Sequence, residues 1–238
     1  MQKTLNKKER AEIFKLFLEN NKLKFNEIEK YLKIRSNMVS YHLTSMVKDG
    51  LLVKKGDYYY LTEHAEKYIP IFSDIFGISV GPLPVVLIAV MNKNSDKILL
   101  VKRNKRPYKD YWSMIGGKVL LHESFKEASI RQVLAKTGLK SEFISLNNIL
   151  HEQVKGSFGV KHSFILFFTK IVAQNSKFKK TGVGELRWVN VDKLYLYKDK
   201  IIPSDYWFIK HSLNKRINVP NLYMNEKEGI IESYKFLN

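Results

Sequence analysis

The feature that most constrains this chain is a strand–loop–helix segment between Trp112 and Leu139. A β-rich entry runs into Gly116-Gly117, a loop carries Glu123, and a helical pattern covers about 124–136. Gly117, Glu123 and Arg131 stand six and eight residues apart, with Val133, Gly138 and Leu139 beyond them. Positions 132, 135 and 136 stand at i, i+3 and i+4, so their side chains leave the helix on one face. They hold Gln132, Ala135 and Lys136, a face without a carboxylate. Such a segment puts both strand and helix in its part of the chain.

The chain changes texture along its length. Up to about Phe72, apolar residues fall three and four apart, as in Ile13, Leu16 and Phe17 or Val39, Leu43, Met46 and Val47. From Pro84 onward β-rich runs take over, with 85–91 and 98–101 flanking a polar turn at 92–96. Gly77, Gly81, Pro82 and Pro84 punctuate the change. The expected organisation is a domain at 1–72, a linker at 73–82, a second domain at 83–216 and a tail at 217–238. Two β-like runs in the tail fit a hairpin, laid either on a sheet edge or on a dimer interface.

Charge needs locating before it is interpreted. The chain holds 41 Lys plus Arg against 23 Asp plus Glu, a formal net of +18. Residues 1–72 carry 14 basic against 9 acidic side chains, and residues 73–238 carry 27 against 14, so most of the excess lies in the second part. Such a balance invites anionic partners. The hydrophobic share of 45% is enough for packed cores. Cysteine is absent, which excludes disulfides, thiolate zinc sites and cysteine nucleophiles. No apolar run nears the roughly 18 residues of a membrane span, and the first residues lack a signal-peptide core. A cytoplasmic location and no membrane partner are expected. The histidines show no metal spacing, and nothing matches a P-loop, a dinucleotide glycine fingerprint or a Ser–His–Asp set.

The first region reads as a helix at about 7–20, then a helix at 26–32 with Asn26 as N-cap and Glu29 in capping-box position. A turn at 33–35 precedes a helix capped by Ser36 and ended by Asp49-Gly50. A hairpin follows around Gly56-Asp57, and Thr62 caps a further helix. This order resembles the winged helix-turn-helix domains of bacterial and archaeal regulators, with 36–52 similar to their recognition helix and wing entry. The resemblance implies that Val39, Leu43, Met46 and Val47 pack on the first two helices. Ser36, Asn37, Ser40, Tyr41 and Thr44 would then face base edges or phosphates. Arg35, Lys54 and Lys55 sit where phosphate contacts anchor turn and wing. A helix-turn-helix used only for dimerisation or partner docking is the competing reading.

The segment from Trp112 to Leu139 resembles the Nudix signature, G-x5-E-x7-R-E-U-x-E-E-x-G-U, with U a bulky aliphatic residue. Gly117, Glu123, Arg131, Val133, Gly138 and Leu139 fall on its spacing. The stretches 162–168, 185–189, 192–194 and 201–205 resemble other segments of that family, so the match spans about 83–213. The implied fold class is α+β with two domains, a winged helix-turn-helix followed by a Nudix-type α/β/α sandwich with a mixed sheet. In active Nudix hydrolases the glutamates of R-E-U-x-E-E hold divalent metal. Magnesium wants hard, charged oxygens. Gln132 offers a neutral amide, Ala135 nothing and Lys136 a repelling charge. Without metal the family mechanism loses its water activation and its neutralisation of the diphosphate. Glu123 is expected to brace loop against helix through Arg131, and Glu127 has the spacing to do the same.

Two readings follow from that resemblance. In the first, hydrolysis is lost and a nucleotide pocket is kept, with Lys136 a tethered cation that meets a phosphate where metal once sat. No catalytic residue, metal ligand or magnesium site is then expected. In the second, carboxylates from elsewhere, such as Glu152 or Glu185, rebuild a metal site. The candidate ligand contacts are Arg103, Arg106, Trp112, Gly116, Gly117, Lys118, Gln132 and Lys136, with Trp112 or Tyr108 near a base or sugar. The two halves together are similar to Nudix-related regulators of NAD metabolism, which bind ADP-ribose-type ligands. Those regulators place the Nudix part first, whereas here the DNA-binding part comes first. The implied protein is a homodimeric, ligand-responsive regulator. It binds double-stranded DNA and a small anionic nucleotide-type ligand such as an ADP-ribose derivative. The competing classes are a metal-dependent Nudix hydrolase with an accessory helix-turn-helix, and a ligand-free DNA architectural factor.

Overall fold

The structure, a computed structural model, describes residues 7–69, 81–105, 107–157, 159–179, 181–227 and 230–237. It divides into two compact units, Met1–Gly81 and Pro82–Asn238. Residues 73–80 of the expected linker lie outside the described residues.

In the first unit, α1 (Lys8–Leu16), α2 (Phe25–Leu32) and α3 (Ser36–Lys48) share one core. Ile13, Phe14, Ile28, Val39, Leu43 and Met46 meet there, following the three-and-four spacing of the sequence. A three-stranded antiparallel sheet closes the core, with β3 (Tyr58–Leu61) between β1 (Leu23–Lys24) and β2 (Leu52–Lys55). A short helix, α4 (Glu63–Glu66), begins where the Thr62 hydroxyl accepts the Ala65 N–H at 3.2 Å. The same hydroxyl donates to the Gly50 carbonyl at 2.6 Å, tying the helix to the end of α3. The buried Arg10 guanidinium reaches from α1 to Ser45 of α3 at 2.6 Å and to Asp49, just past its end, at 3.2 Å.

Local details of this unit differ from the sequence reading. α1 ends at Leu16, whose carbonyl accepts the Asn20 amide at 2.8 Å, so residues 17–20 do not extend the helix. The acid that caps α2 is Glu27, which accepts the Lys24 backbone N–H at 2.6 Å; Asn26 lies inside the helix. Glu29 instead accepts the Ser36 hydroxyl and links α2 to α3. Ser36 is thus the first helical residue of α3, with Arg35 at the N-cap. Val47 is exposed, because Leu43 and Met46 already fill the space against α1 and α2.

The second unit is built on a seven-stranded sheet. Its main path runs β10 (Gly184–Asn190), β5 (Lys97–Arg103), β4 (Leu83–Met91), β9 (Gly159–Ala173) and β8 (Ser141–Gly156). The short β6 (Trp112–Ser113) pairs with β5 and β7 (Ile115–Lys118) with β4. β4 and β9 are parallel and the remaining pairs antiparallel, so the sheet is mixed.

Alternation along β4 explains the layers. Val86, Ile88 and Val90 point to one face, where Ala128 and Val133 of α5 (Phe125–Thr137) cover them. Leu87, Ala89 and Met91 point to the other, under Phe208 and Ile209 of α6 (Pro203–Ser212). Phe208 also stacks on Phe168 of β9 with ring centroids 4.7 Å apart. Burying each such ring contributes about 2–3 kcal/mol, which fixes α6 on its face of the sheet. The tail forms β11 (Asn221–Lys227) and β12 (Ile230–Leu237), a separate two-stranded antiparallel sheet.

Candidate functional site

A cleft of about 430 Å³ opens beside β4, β7 and β9, within the usual range for small-molecule sites. Leu83, Val85, Leu87, Phe164 and Leu166 give it an apolar lining. Arg103, Lys118, Lys136, Glu152 and Asp205 bring charge to it. A second recess of about 320 Å³ shares Arg103, Met114, Gly116 and Lys136 with the first and adds Lys105, Thr181 and Gly182. Lys136 and Arg103 therefore stand where the two meet.

Helix α5 delivers Lys136, and both ends of that helix are specified. At the start, the Ser124 N–H donates to Glu127 at 2.8 Å while the Ser124 hydroxyl accepts the Glu127 N–H at 3.3 Å. Glu127 is thereby committed to the cap and does not reach Arg131. At the end, Gly138 adopts φ 70°, a left-handed conformation that glycine takes without strain. Between them the Arg131 Nε donates to Glu123 at 2.7 Å, and its Nη2 to the Lys118 carbonyl at 3.1 Å. The Glu123 carboxyl is held below its ordinary range, first by this guanidinium and further by the Leu120 backbone N–H. One ion pair thus locks the loop after β7 onto α5, as the sequence reading expected.

The helix face at 132, 135 and 136 is occupied differently. Gln132 is buried, with its amide donating to the Lys118 carbonyl at 3.4 Å. It lies so close to Gly117 that a Cβ there would collide with the amide. The Lys136 ammonium donates to the Gly116 carbonyl. Burial above all, then Arg103 and Arg131 nearby, holds this ammonium below its ordinary value. A half-buried cation with one carbonyl partner among the described residues and two like charges near it favours any anion that enters.

These residues do not fit a divalent ion. The two polar groups on the face are an amide engaged elsewhere and an ammonium. Among the described residues no group of three or more His, Asp or Glu side chains is placed to hold a metal. Glu185 pairs with Arg187 on the surface, away from the cleft. Glu152 does face the cleft, where it accepts the Tyr108 hydroxyl at 2.9 Å. Burial first, then this carboxylate, pushes the phenol up.

Two cleft groups, Asp205 and Ser113, are absent from the residues expected from the sequence, whereas Tyr108 was expected and lines the cleft. Asp205, in the first turn of α6, is buried and accepts the Met114 N–H at 2.6 Å. Burial pushes its carboxyl up to about 7, and the Glu152 charge adds to that. Ser113 presents a buried hydroxyl that has no hydrogen-bond partner among the described residues. Tyr108 lies at φ 60°, its turn pinned where Arg103 Nε donates to the Pro107 carbonyl at 2.9 Å. The only signal in the chain was the helix start at Pro203-Ser204-Asp205.

Of the expected ligand contacts, Arg103, Gly116, Gly117, Lys118 and Lys136 line the cleft and Gln132 backs Gly117. Trp112 does not line it. Its ring is buried in the core, edge-on to Tyr197 at 5.6 Å and under the Arg187 guanidinium at 5.0 Å. The alternation of β6 turns Trp112 inward and Ser113 toward the cleft. Arg106 lies outside the described residues.

In the first unit, Arg35, Ser36, Asn37, Ser40, Tyr41, Thr44, Lys54 and Lys55 are all exposed. From Ser36 to Val47, α3 carries no Lys, Arg, Asp or Glu, so its outer face is hydroxyl, amide and aromatic. The basic groups cluster on the adjoining sheet, where Lys54 stands 5.6 Å from the Tyr59 ring and Lys22 4.6 Å from the Tyr58 ring. His42 on α3 is buried, both ring nitrogens lack partners among the described residues, and burial lowers its proton affinity.

A family model described as NUDIX domain matches residues 81–211. A Bacillus subtilis protein provisionally named an 8-oxo-dGTP diphosphatase is 31% identical over 110 residues, covering 46% of this chain and 68% of that protein. Human nucleoside diphosphate-linked moiety X motif 6 is 30% identical over 108 residues, 44% of this chain and 34% of that protein. The chain therefore spans about a third of that relative's length. Among solved structures, the MutT protein of Bacillus halodurans is similar at 23% identity and TM-score 0.48, over 65% of this chain and 97% of that one. No helix among the described residues is long and apolar enough to cross a membrane.

Proposed function

The chain belongs to the NUDIX family, and from that premise we propose that it is a DNA-binding transcriptional regulator whose NUDIX domain holds a nucleotide-type ligand without hydrolysing it. One observation carries this reading: the Lys136 ammonium sits on the Gly116 carbonyl, on the helix face where the family signature has metal-binding glutamates. A fixed cation can neutralise a diphosphate oxygen, but it cannot lower the pKa of a bound water as a divalent metal does. The cleft is thereby an anion-binding site. Arg103 and Lys118 add charge for phosphates. The apolar lining, with Asp205, Glu152 and Ser113 as polar groups, suits a nucleoside.

The first unit is the DNA-binding half. Its order of three helices and a hairpin supports a winged helix-turn-helix. α3 reads base edges through Asn37, Ser40, Tyr41 and Thr44, while Arg35, Lys54 and Lys55 contact phosphates. Two copies reading paired half-sites form the working unit. A ligand changes DNA affinity by binding one arrangement of the two copies more tightly than the other.

A second reading has one observation in its favour, the two carboxyl groups of Glu152 and Asp205 in the same cleft. It makes the chain a metal-dependent NUDIX hydrolase with a non-standard metal site. Incubating the protein with ADP-ribose, dinucleotides and nucleoside triphosphates plus Mg²⁺ or Mn²⁺ separates the two. Steady turnover would sink the sensor reading, whereas the proposal expects none. For the DNA half, Arg35→Ala with Lys54→Ala should weaken binding to duplex DNA and lower the salt slope by about two. An unchanged affinity would remove this face from the interface.

A further inference from the structure

We propose that the outer face of the three-stranded sheet in the first unit binds single-stranded nucleic acid, with bases stacked on Tyr58 and Tyr60 and phosphates held by Lys22, Lys24 and Lys55. Side chains alternate along a strand, so the sheet has two faces of different character. Leu23, Leu52 and Tyr59 point into the core. The register then sets Lys24, Tyr58 and Lys55 in one row on the opposite face, with Val53 and Tyr60 in the next. Lys22 and Lys55 are exposed, and Lys24, Val53, Tyr58 and Tyr60 are half-buried.

Charge on this face has one sign. Two ammonium groups converge on the Tyr58 ring, Lys22 at 4.6 Å and Lys24 at 5.0 Å from its centroid, and Lys55 stands 5.6 Å from that of Tyr60. The three strands contain no Asp or Glu, and Asp57, the one acid of the hairpin, lies in its turn. Like charges gathered without a carboxylate favour an anion. A cation over an exposed ring is a weaker contact than a base stacked on that ring, so the flexible lysines exchange rings for phosphates when a strand arrives.

The spacing of the rings selects a single strand. Tyr58 and Tyr60 lie two residues apart on one face of β3, a step of about 6.6 Å. A duplex repeats at about 3.4 Å and keeps its bases paired inside, so neither ring can meet the face of a base. An extended single strand opens its bases to such a step, while lysines on the flanking strands reach its phosphates. An acidic peptide would satisfy the lysines and leave both rings unused. The site shares Lys55 with the duplex reading above, but α3 takes no part in it, so either reading can fail alone.

The test is fluorescence anisotropy of the full chain with a labelled oligothymidylate of about 12 nucleotides, beside a labelled duplex. The wild type should bind the oligothymidylate. Tyr58→Val with Tyr60→Val keeps strand-forming side chains and should weaken that binding by about tenfold or more, with duplex affinity unchanged. Lys22→Ala with Lys24→Ala should lower the single-strand salt slope by about 1.4, two phosphates at about 0.7 each. That change leaves the Lys24 backbone N–H on Glu27, and circular dichroism checks the fold of every variant. A wild type that ignores the oligothymidylate would overturn the proposal. So would a tyrosine variant that binds it as the wild type does, or polyglutamate that displaces it at equal charge. Duplex binding without single-strand binding leaves the regulator reading standing while this site falls. Single-strand binding that the tyrosine variant loses, in a protein that binds no duplex, keeps this site while the regulator reading falls.

Discussion

The two ends of α5 keep very different company. Near its start, Glu127 closes the cap and Arg131 pairs with Glu123, a carboxylate whose side chain is only 6% exposed. At its last turn, Lys136 reaches one carbonyl beside an open cleft. The first end holds the loop to the helix, and its residues follow the family signature. At the second end Lys136 lines the cleft, and Gln132, Ala135 and Lys136 stand at the positions where the signature has glutamates. The lesson is that one motif carries two separable loads. Residues that brace the fold are fixed by what they touch within the chain. Residues that face an open cleft can change charge without disturbing that brace.

This contrast breaks or sharpens under substitution. The largest stability effect should come from Arg131→Ala, which strands the buried Glu123 carboxylate. The cost is about 2–3 kcal/mol, kept at the lower end for such a pair because Arg131 is 38% exposed. That corresponds to a Tm about 5–10 °C lower. The Glu123 contribution should be present at neutral pH and fade as pH falls through its depressed native pKa, so the two proteins should converge in acid. A Tm within error of wild type at neutral pH would remove the brace from the account.

Lys136→Met should do the opposite. It removes a half-buried cation whose desolvation the single carbonyl offsets only in part, so unliganded stability should rise or stay within about 1 kcal/mol. A loss as large as that of Arg131→Ala would mean that Lys136 belongs to the scaffold and not to the cleft.

Asp205→Asn should give a change visible only against pH. Burial raises the native Asp205 pKa to about 7, above its unfolded value of 3.8. The native state therefore binds the extra proton between those values, and stability falls as pH rises from about 4 to about 7, then levels. Asn keeps an acceptor for the Met114 N–H and has no charge to bury. Thermal melts of the variant should show a flatter profile over that window and, at pH 8, a Tm at or above wild type.

The sequence made the scaffold legible because its signals are local or periodic. The spacing of Glu123 and Arg131, the turn at Gly56-Asp57, the cap at Thr62 and the strands around 92–96 all rest on neighbours within a few residues. The site was half legible. Arg103, Gly116, Gly117, Lys118 and Lys136 were reached through the signature and the basic loop. What escaped depends on which way a side chain turns. Trp112 and Ser113 are adjacent on a two-residue strand, and only the sheet decides that the ring goes to the core and the hydroxyl to the cleft. Asp205 arrives from α6, 91 residues beyond Met114, and its contact was invisible to any pattern in the chain. Val47 follows the helical period yet stays outside, because the core it would join is already filled.

In the proposed function, Lys136 does with a fixed charge what the family signature does with metal. Calorimetric titration of metal-free protein with ADP-ribose, for the wild type and for Lys136→Glu, tests it most directly. The wild type should bind without divalent ions, with an affinity at least about tenfold lower for the variant, since an attraction at the diphosphate becomes a repulsion. Equal affinities, or wild-type binding that appears only once Mg²⁺ is added, would contradict it.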